Sequence, residues 1–101
     1  MVSVFIAMIT EQSSGYMSLA IEQAKLARGF NEVPVGAVVV SNNIIIGSGF
    51  NSVIKDHSVS SHAEIIAINA ASKKLNNHRL PDCDLYVTLE PCHMCAKAIV
   101  D

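Results

Sequence analysis

The sequence predicts a small α/β domain in which helices cover a short sheet. Short β-branched runs alternate with segments of helical period, which is the pattern of strands interleaved with covering helices. Glycine, proline and asparagine fall between those segments as punctuation. At 101 residues the chain has room for a single domain, residues 1–101, and for a modest core. The expected order is α-β-β-α-β-α.

The first helix is expected from Tyr16 to Arg28. Leu19, Ala20, Gln23, Ala24 and Ala27 share one stripe, Glu22, Lys25 and Arg28 lie outside it, and Gly29 is placed to stop it. Pro34 ends helical tendency, and the run Val35–Val40 reads as a buried strand. Ser41-Asn42-Asn43 then forms a turn into a second strand, Ile44–Gly49, so the two should pair as a hairpin. Residues 50–61 are polar and loop-like. The second helix is expected over Ala63–Leu75, with Ile65, Ile66, Asn69 and Ala70 near one face and Lys73-Lys74 favourably placed in the last turn. After a loop to Asp82, Leu85–Leu89 reads as a third strand. Pro91 occupies the position a helix prefers for its first residue, and Cys92–Val100 has helical composition.

Composition narrows the setting. The chain is 50% hydrophobic and 16% charged with a net charge of -2, and its seven Lys and Arg residues are scattered, so charge alone does not point to nucleic acid. Three cysteines is an odd count, and the N-terminus lacks the basic start and small-residue cleavage site of a secretory signal. A reduced, cytoplasmic setting is therefore expected. The apolar run VSVFIAMI is too short to cross a bilayer, and residues 1–14 are expected to form a flexible arm.

The residues that carry chemistry are His62-Ala63-Glu64 and Pro91-Cys92-His93-Met94-Cys95. Cys92 and Cys95 are three apart, so at a helix start both sulfurs point the same way, and the helix N-terminus favours their thiolate forms. One imidazole and two thiolates suit zinc and leave a fourth position for water, the mark of a catalytic rather than a structural site. Glu64 is then a carboxylate able to take and return protons beside the metal. Simpler readings exist for each piece. Cys-x-x-Cys also serves as a redox pair, and glutamate in a first turn is ordinary complementation of the helix dipole. A structural zinc site would need a fourth ligand from Cys83, His57, His78 or His93. Cys83 reads better as a small buried hydrophobe, and the histidines lie in loops or at the wrong helical phase.

The combination of His62-Ala63-Glu64 with Pro91-Cys92-x-x-Cys95 resembles the signature of the zinc-dependent nucleoside and nucleobase deaminases. The stretches EVPVGAVVV (32–40), HAEIIAI (62–68) and RLPDCDLYVTLEPCHMC (79–95), with Asn51, are similar to the bacterial tRNA-specific adenosine deaminase branch. The resemblance runs from about Tyr16 to Val100. It implies a cytidine-deaminase-like three-layer α/β/α sandwich and a hydrolytic conversion of adenosine to inosine at the tRNA wobble position. By that resemblance His62, Cys92 and Cys95 hold one Zn2+ per subunit, and Glu64 shuttles protons between the activated water, the ring nitrogen and the leaving ammonia. Asn51 hydrogen-bonds the flipped-out base, and Glu32, Val33, Pro34 and the backbone at Ala63 line its pocket. An amide can donate and accept at once, which suits adenine, although asparagine is also a favoured turn former. The partners implied are a tRNA anticodon loop and a second copy in a homodimer, with no membrane.

Members of this branch continue past the zinc-binding helix, so the chain reads as C-terminally truncated, with later strands and helices missing. The third strand should then have an unpaired outer edge, an association liability. Two other functions stay open. One is deamination of a free base or nucleotide such as guanine, cytosine or dCMP. The other is a non-catalytic zinc-binding remnant that completes its fold on a partner.

Overall fold

The computed structural model describes residues 2–6, 15–53, 57, 60–76 and 82–88. Its elements are β1 (Val2–Ile6), α1 (Tyr16–Gly29), β2 (Gly36–Ser41), β3 (Ile44–Phe50), α2 (Ala63–Leu75) and β4 (Cys83–Val87). The sheet runs β1-β4-β2-β3. β2 pairs antiparallel with both β3 and β4, and β1 pairs parallel with β4. The expected helix over Cys92–Val100 lies outside the described residues.

Alternation along β2 explains the layers. Ala37 and Val39 pack on one face with Ala63, Ala67 and Ala71 of α2 and with Leu85 and Val87 of β4. Val38 and Val40 pack on the other face with Met17 and Ala20 of α1. Successive strand residues point to opposite faces, so a strand covered on both sides must be apolar at every position. The unbroken run Val38-Val39-Val40 is that requirement written in sequence. The result is an α/β/α sandwich, the architecture expected. On the α1 face the rings of Tyr16 and Tyr86 sit 5.4 Å apart, and burial, then Asp84, then Tyr16 raise the Tyr86 phenol above its ordinary pKa.

Both helices approach the sheet closely because the sheet offers glycine where they cross it. A β-carbon on Gly36 would meet the Ala20 carbonyl and the Ala24 amide of α1. One on Gly47 would meet the Ala67 carbonyl and lie 2.8 Å from the Ala71 nitrogen of α2. The helices answer with alanine at Ala20, Ala24, Ala67 and Ala71, all fully buried.

Four expectations change. The third strand, expected over Leu85–Leu89, begins at Cys83 and ends at Val87, so Thr88 lies just beyond it. Val2–Ile6 is a strand rather than part of a flexible arm, with Val2 opposite Cys83 and Ile6 opposite Val87. A short apolar, β-branched run next to an open edge satisfies the backbone groups of both. The outer edge of β4, expected to be bare, is therefore paired. Finally, Gly29 does not stop the first helix. Gly29 is its last residue, and Asn31 takes the left-handed conformation (φ 59) beyond it. Asn31 N–H donates to Arg28 O (3.1 Å) and Glu32 N–H to Ala27 O (3.0 Å), which is the Schellman arrangement with asparagine in place of glycine. Among the described residues, no helix is long and apolar enough to cross a membrane.

Candidate active site

Hydrogen bonds draw separate segments together where β2 begins and β3 and β4 end. The Schellman turn delivers Glu32, Val33 and Pro34 directly to the start of β2. Val35 N–H donates to Val33 O (2.8 Å), a three-residue turn centred on Pro34, whose fixed φ suits that bend. Asn51 follows β3, and its N–H donates to Val35 O (3.1 Å). Its side chain then crosses to the next element, where Asn51 Oδ1 accepts the N–H of Ala63 at 2.9 Å. From the end of β4, Thr88 N–H donates to Gly36 O (3.1 Å), and Gly36 N–H donates in return to Thr88 Oγ1 (3.1 Å).

The Asn51–Ala63 bond has a local cause. The first N–H groups of a helix lack intrahelical acceptors and need a cap. His62 occupies the N-cap position of α2 in extended conformation but makes no side-chain cap. Asn51 supplies the missing acceptor from outside the helix. The loop between them is closed by Ser52 N–H donating to Ser61 O (2.9 Å).

Burial sorts the expected site residues. Glu64 in the first turn of α2 is 2% exposed, Glu32 6% and Asn51 8%. Carboxylates and amides this deep are retained only with hydrogen-bonding partners. Among the described residues, no buried side-chain nitrogen or oxygen lacks one. Ala63 is fully buried, His62 and Pro34 are half-buried, and Val33 is exposed. Glu32, Asn51, Ala63, His62 and Glu64 thus lie along one connected run of backbone and hydrogen bonds.

The expected reading of Asn51 is sharpened by this geometry. One lone pair of Oδ1 is committed to Ala63, which fixes the orientation of the amide and leaves the Nδ2 hydrogens as the donors it can present. Thr88 went unrecognised in the sequence, because a threonine in what reads as a strand needs no further explanation. The alternative ligands also find places. Cys83 is buried in the core at the start of β4, and His57 is exposed. Cys92, Cys95, His78 and His93 lie outside the described residues. His62 is accordingly the one member of the expected ligand trio whose position is described. Among the described residues, no three His, Cys, Asp or Glu side chains converge as a metal site. The donor set of imidazole and two thiolates nevertheless fits zinc, and the half-buried His62 sits beside a buried Glu64.

The family model of the cytidine and deoxycytidylate deaminase zinc-binding region matches residues 10–101. Among curated relatives, the tRNA-specific adenosine deaminase of Buchnera aphidicola subsp. Baizongia pistaciae is 53% identical over 85 residues, covering 84% of this chain and 52% of that protein. The protein of the same name from Aquifex aeolicus is 45% identical over 85 residues, covering 84% of this chain and 56% of that protein. The chain thus spans little more than half the length of these relatives. A solved structure from a study of A-to-I editing by tRNA:A34 deaminases superposes with a TM-score of 0.81 at 46% identity, covering 83% of this chain and 65% of that one. Guanine deaminase from Bacillus subtilis superposes with a TM-score of 0.81 at 37% identity, covering 84% of this chain and 55% of that one. Zinc is the metal of the matched region. On the match across nearly its whole length, the chain belongs to the cytidine and deoxycytidylate deaminase zinc-binding family.

Proposed function

We propose that the chain carries the zinc-binding and base-binding part of a hydrolase that converts adenosine to inosine at the wobble position of a tRNA anticodon. The observation that carries this reading is the buried Glu64 (2% exposed) one residue beyond an α2 N-terminus capped by Asn51. The tRNA-specific names of relatives at 53% and 45% identity support the substrate class.

His62, Cys92 and Cys95 are the residues that would hold zinc, and the metal would supply Lewis-acid activation of a water. Glu64 would take a proton from the attacking water and pass it to the ring nitrogen beside the attacked carbon, then carry the proton of the new hydroxyl to the amino group as the carbon–nitrogen bond breaks and ammonia leaves. Adenosine and water become inosine and ammonia, with no redox partner. Burial suits Glu64 to this work, since a carboxylate screened from bulk water exchanges protons with substrate rather than solvent. Asn51 presents its Nδ2 hydrogens to an acceptor on the base, while Glu32, Val33 and Pro34 form the wall delivered by the Schellman turn. A cytoplasmic homodimer acting on the anticodon loop completes the reading. The odd cysteine count supports a reducing compartment, and the family resemblance supports the dimer.

The test is inosine formation on an anticodon stem-loop, with zinc content measured on the same protein. About one zinc per protomer is expected. Glu64→Ala should abolish turnover, by about a hundredfold or more, while zinc is retained. His62→Ala should lose the metal. Activity that survives Glu64→Ala would exclude this mechanism.

A second reading is favoured by the guanine deaminase superposition, whose TM-score equals that of the tRNA:A34 deaminase structure. Turnover of free guanine or cytosine without turnover of the stem-loop would establish it. A folded, zinc-loaded chain that turns over neither would instead be a non-catalytic zinc-binding module.

A further inference from the structure

Just outside the buried site residues lies an aromatic pair that no step above uses. Phe30 caps the C-terminus of α1, two residues before Glu32, and Phe50 ends β3, one residue before Asn51. Their rings are stacked, with centroids 5.9 Å apart and planes within 4° of parallel. Phe50 is the half-buried member of the pair, whereas Phe30 remains 49% exposed. Val33 beside them is 62% exposed. Arg28, exposed in the last turn of α1, precedes Phe30 by two residues.

The exposed part of Phe30 is apolar aromatic surface that a flat partner could cover. Parallel stacking leaves the pair as a planar step, a shape that matches a nucleobase face better than an aliphatic side chain. An exposed cation close by in sequence supplies the other element of a single-strand site, which combines stacking aromatics with charge toward the backbone. Direct continuity with Glu32 and Asn51 puts this step one short reach from the residues assigned to the target base. We propose that Phe30, backed by Phe50, is a stacking platform for the unpaired nucleobase that neighbours the target adenosine in the RNA loop. The inference rests on the functional reading above and adds to it a second base subsite.

The experiment is a binding cycle between protein and RNA. Labelled anticodon stem-loop is titrated with the full chain and with Phe30→Ala, Phe30→Leu and Phe30→Trp. Each is measured on the intact loop and on loops made abasic at the position 5′ or 3′ of the target. Phe30→Ala and Phe30→Leu should each weaken binding about tenfold, the Leu variant keeping apolar area but losing the π face, while Phe30→Trp binds at least as well as the native chain. The abasic loop should cost the native chain a similar factor at one of the two positions and cost Phe30→Ala almost nothing further. Full additivity between the substitution and both abasic loops, or native-like binding by Phe30→Leu, overturns the platform while leaving the functional reading intact. Failure of the native chain to prefer the stem-loop over a duplex of equal length overturns both. Sedimentation is run on the same samples, and a Phe30→Ala variant that changes from dimer to monomer, with its affinity per protomer unchanged, overturns the platform in favour of an interface between copies.

Discussion

Asn51 Oδ1 holds the Ala63 N–H at 2.9 Å, and its Nδ2 hydrogens are the part of the amide assigned to the base, so stability and recognition can be separated at one side chain. Asn51→Ala strands the N–H of a fully buried residue and should destabilise the fold by about 1–3 kcal/mol, read from urea unfolding. Asn51→Asp keeps the acceptor and places negative charge at a helix N-terminus, where it is favourable, so stability should stay near that of the native chain. The aspartate has no donors, however, and base binding should fall about tenfold or more, measured with a purine probe. Equal loss of stability in both variants would show that Oδ1 does not cap α2. At this scale the sequence was only partly legible. His62 and Glu64 stand out by residue type and spacing and Asn51 only by the family resemblance, and the Asn51–Ala63 bond spans a loop whose closure no local pattern encodes. Thr88, bonded to Gly36 just past the end of β4, gives no sign of it in the sequence, where threonine in an expected strand is ordinary.

Element boundaries follow from local chemistry wherever one strong determinant acts, and drift where two compete. α2 runs over Ala63–Leu75 as expected, since His62 opens it and Asn76 closes it in left-handed conformation (φ 53). At the end of α1 glycine and asparagine compete for the same role, and the chain uses Asn31, which moves Glu32 into the site by the Schellman bond to Ala27. The β-branched run made β2 legible, because burial on both faces demands it. Close approach of helix to sheet was not legible, because glycine in a strand is ambiguous until its neighbour is known. Gly47→Ala tests that contact. Its new β-carbon meets the Ala67 carbonyl and lies 2.8 Å from the Ala71 nitrogen, so α2 must move outward or the strand must bend. Overpacking of this kind should cost about 1–3 kcal/mol in urea unfolding. α2 also carries Glu64, so the same variant should lose activity beyond what its stability explains. Unchanged unfolding would mean that α2 sits farther from β3 than described.

Across the whole molecule, the decisive feature is the parallel strand at the outer edge of β4. Hydrophobic pattern alone cannot separate a five-residue apolar strand from an apolar arm, because such a run is too short for its period to speak. Its partner, moreover, lies at the other end of the chain, with Val2 opposite Cys83. What the sequence could state was the need: a strand packed on both faces and bonded on only one edge invites association. β1 meets that need, in register from Val2 to Ile6. Removing residues 1–7 should therefore reopen the edge of β4 without touching His62, Glu64, Asn51 or any contact of α1 and α2 with β2 and β3. The expected result is a chain whose unfolding midpoint falls and which self-associates with rising concentration in sedimentation, while the thiols of its cysteines remain reduced. A truncated chain that stays monomeric and unfolds at the native midpoint would show that β1 does not protect this edge. A truncated chain that recovers its midpoint when a peptide of sequence MVSVFIA is added would show that edge pairing, rather than any contact of the rest of the arm, carries the effect.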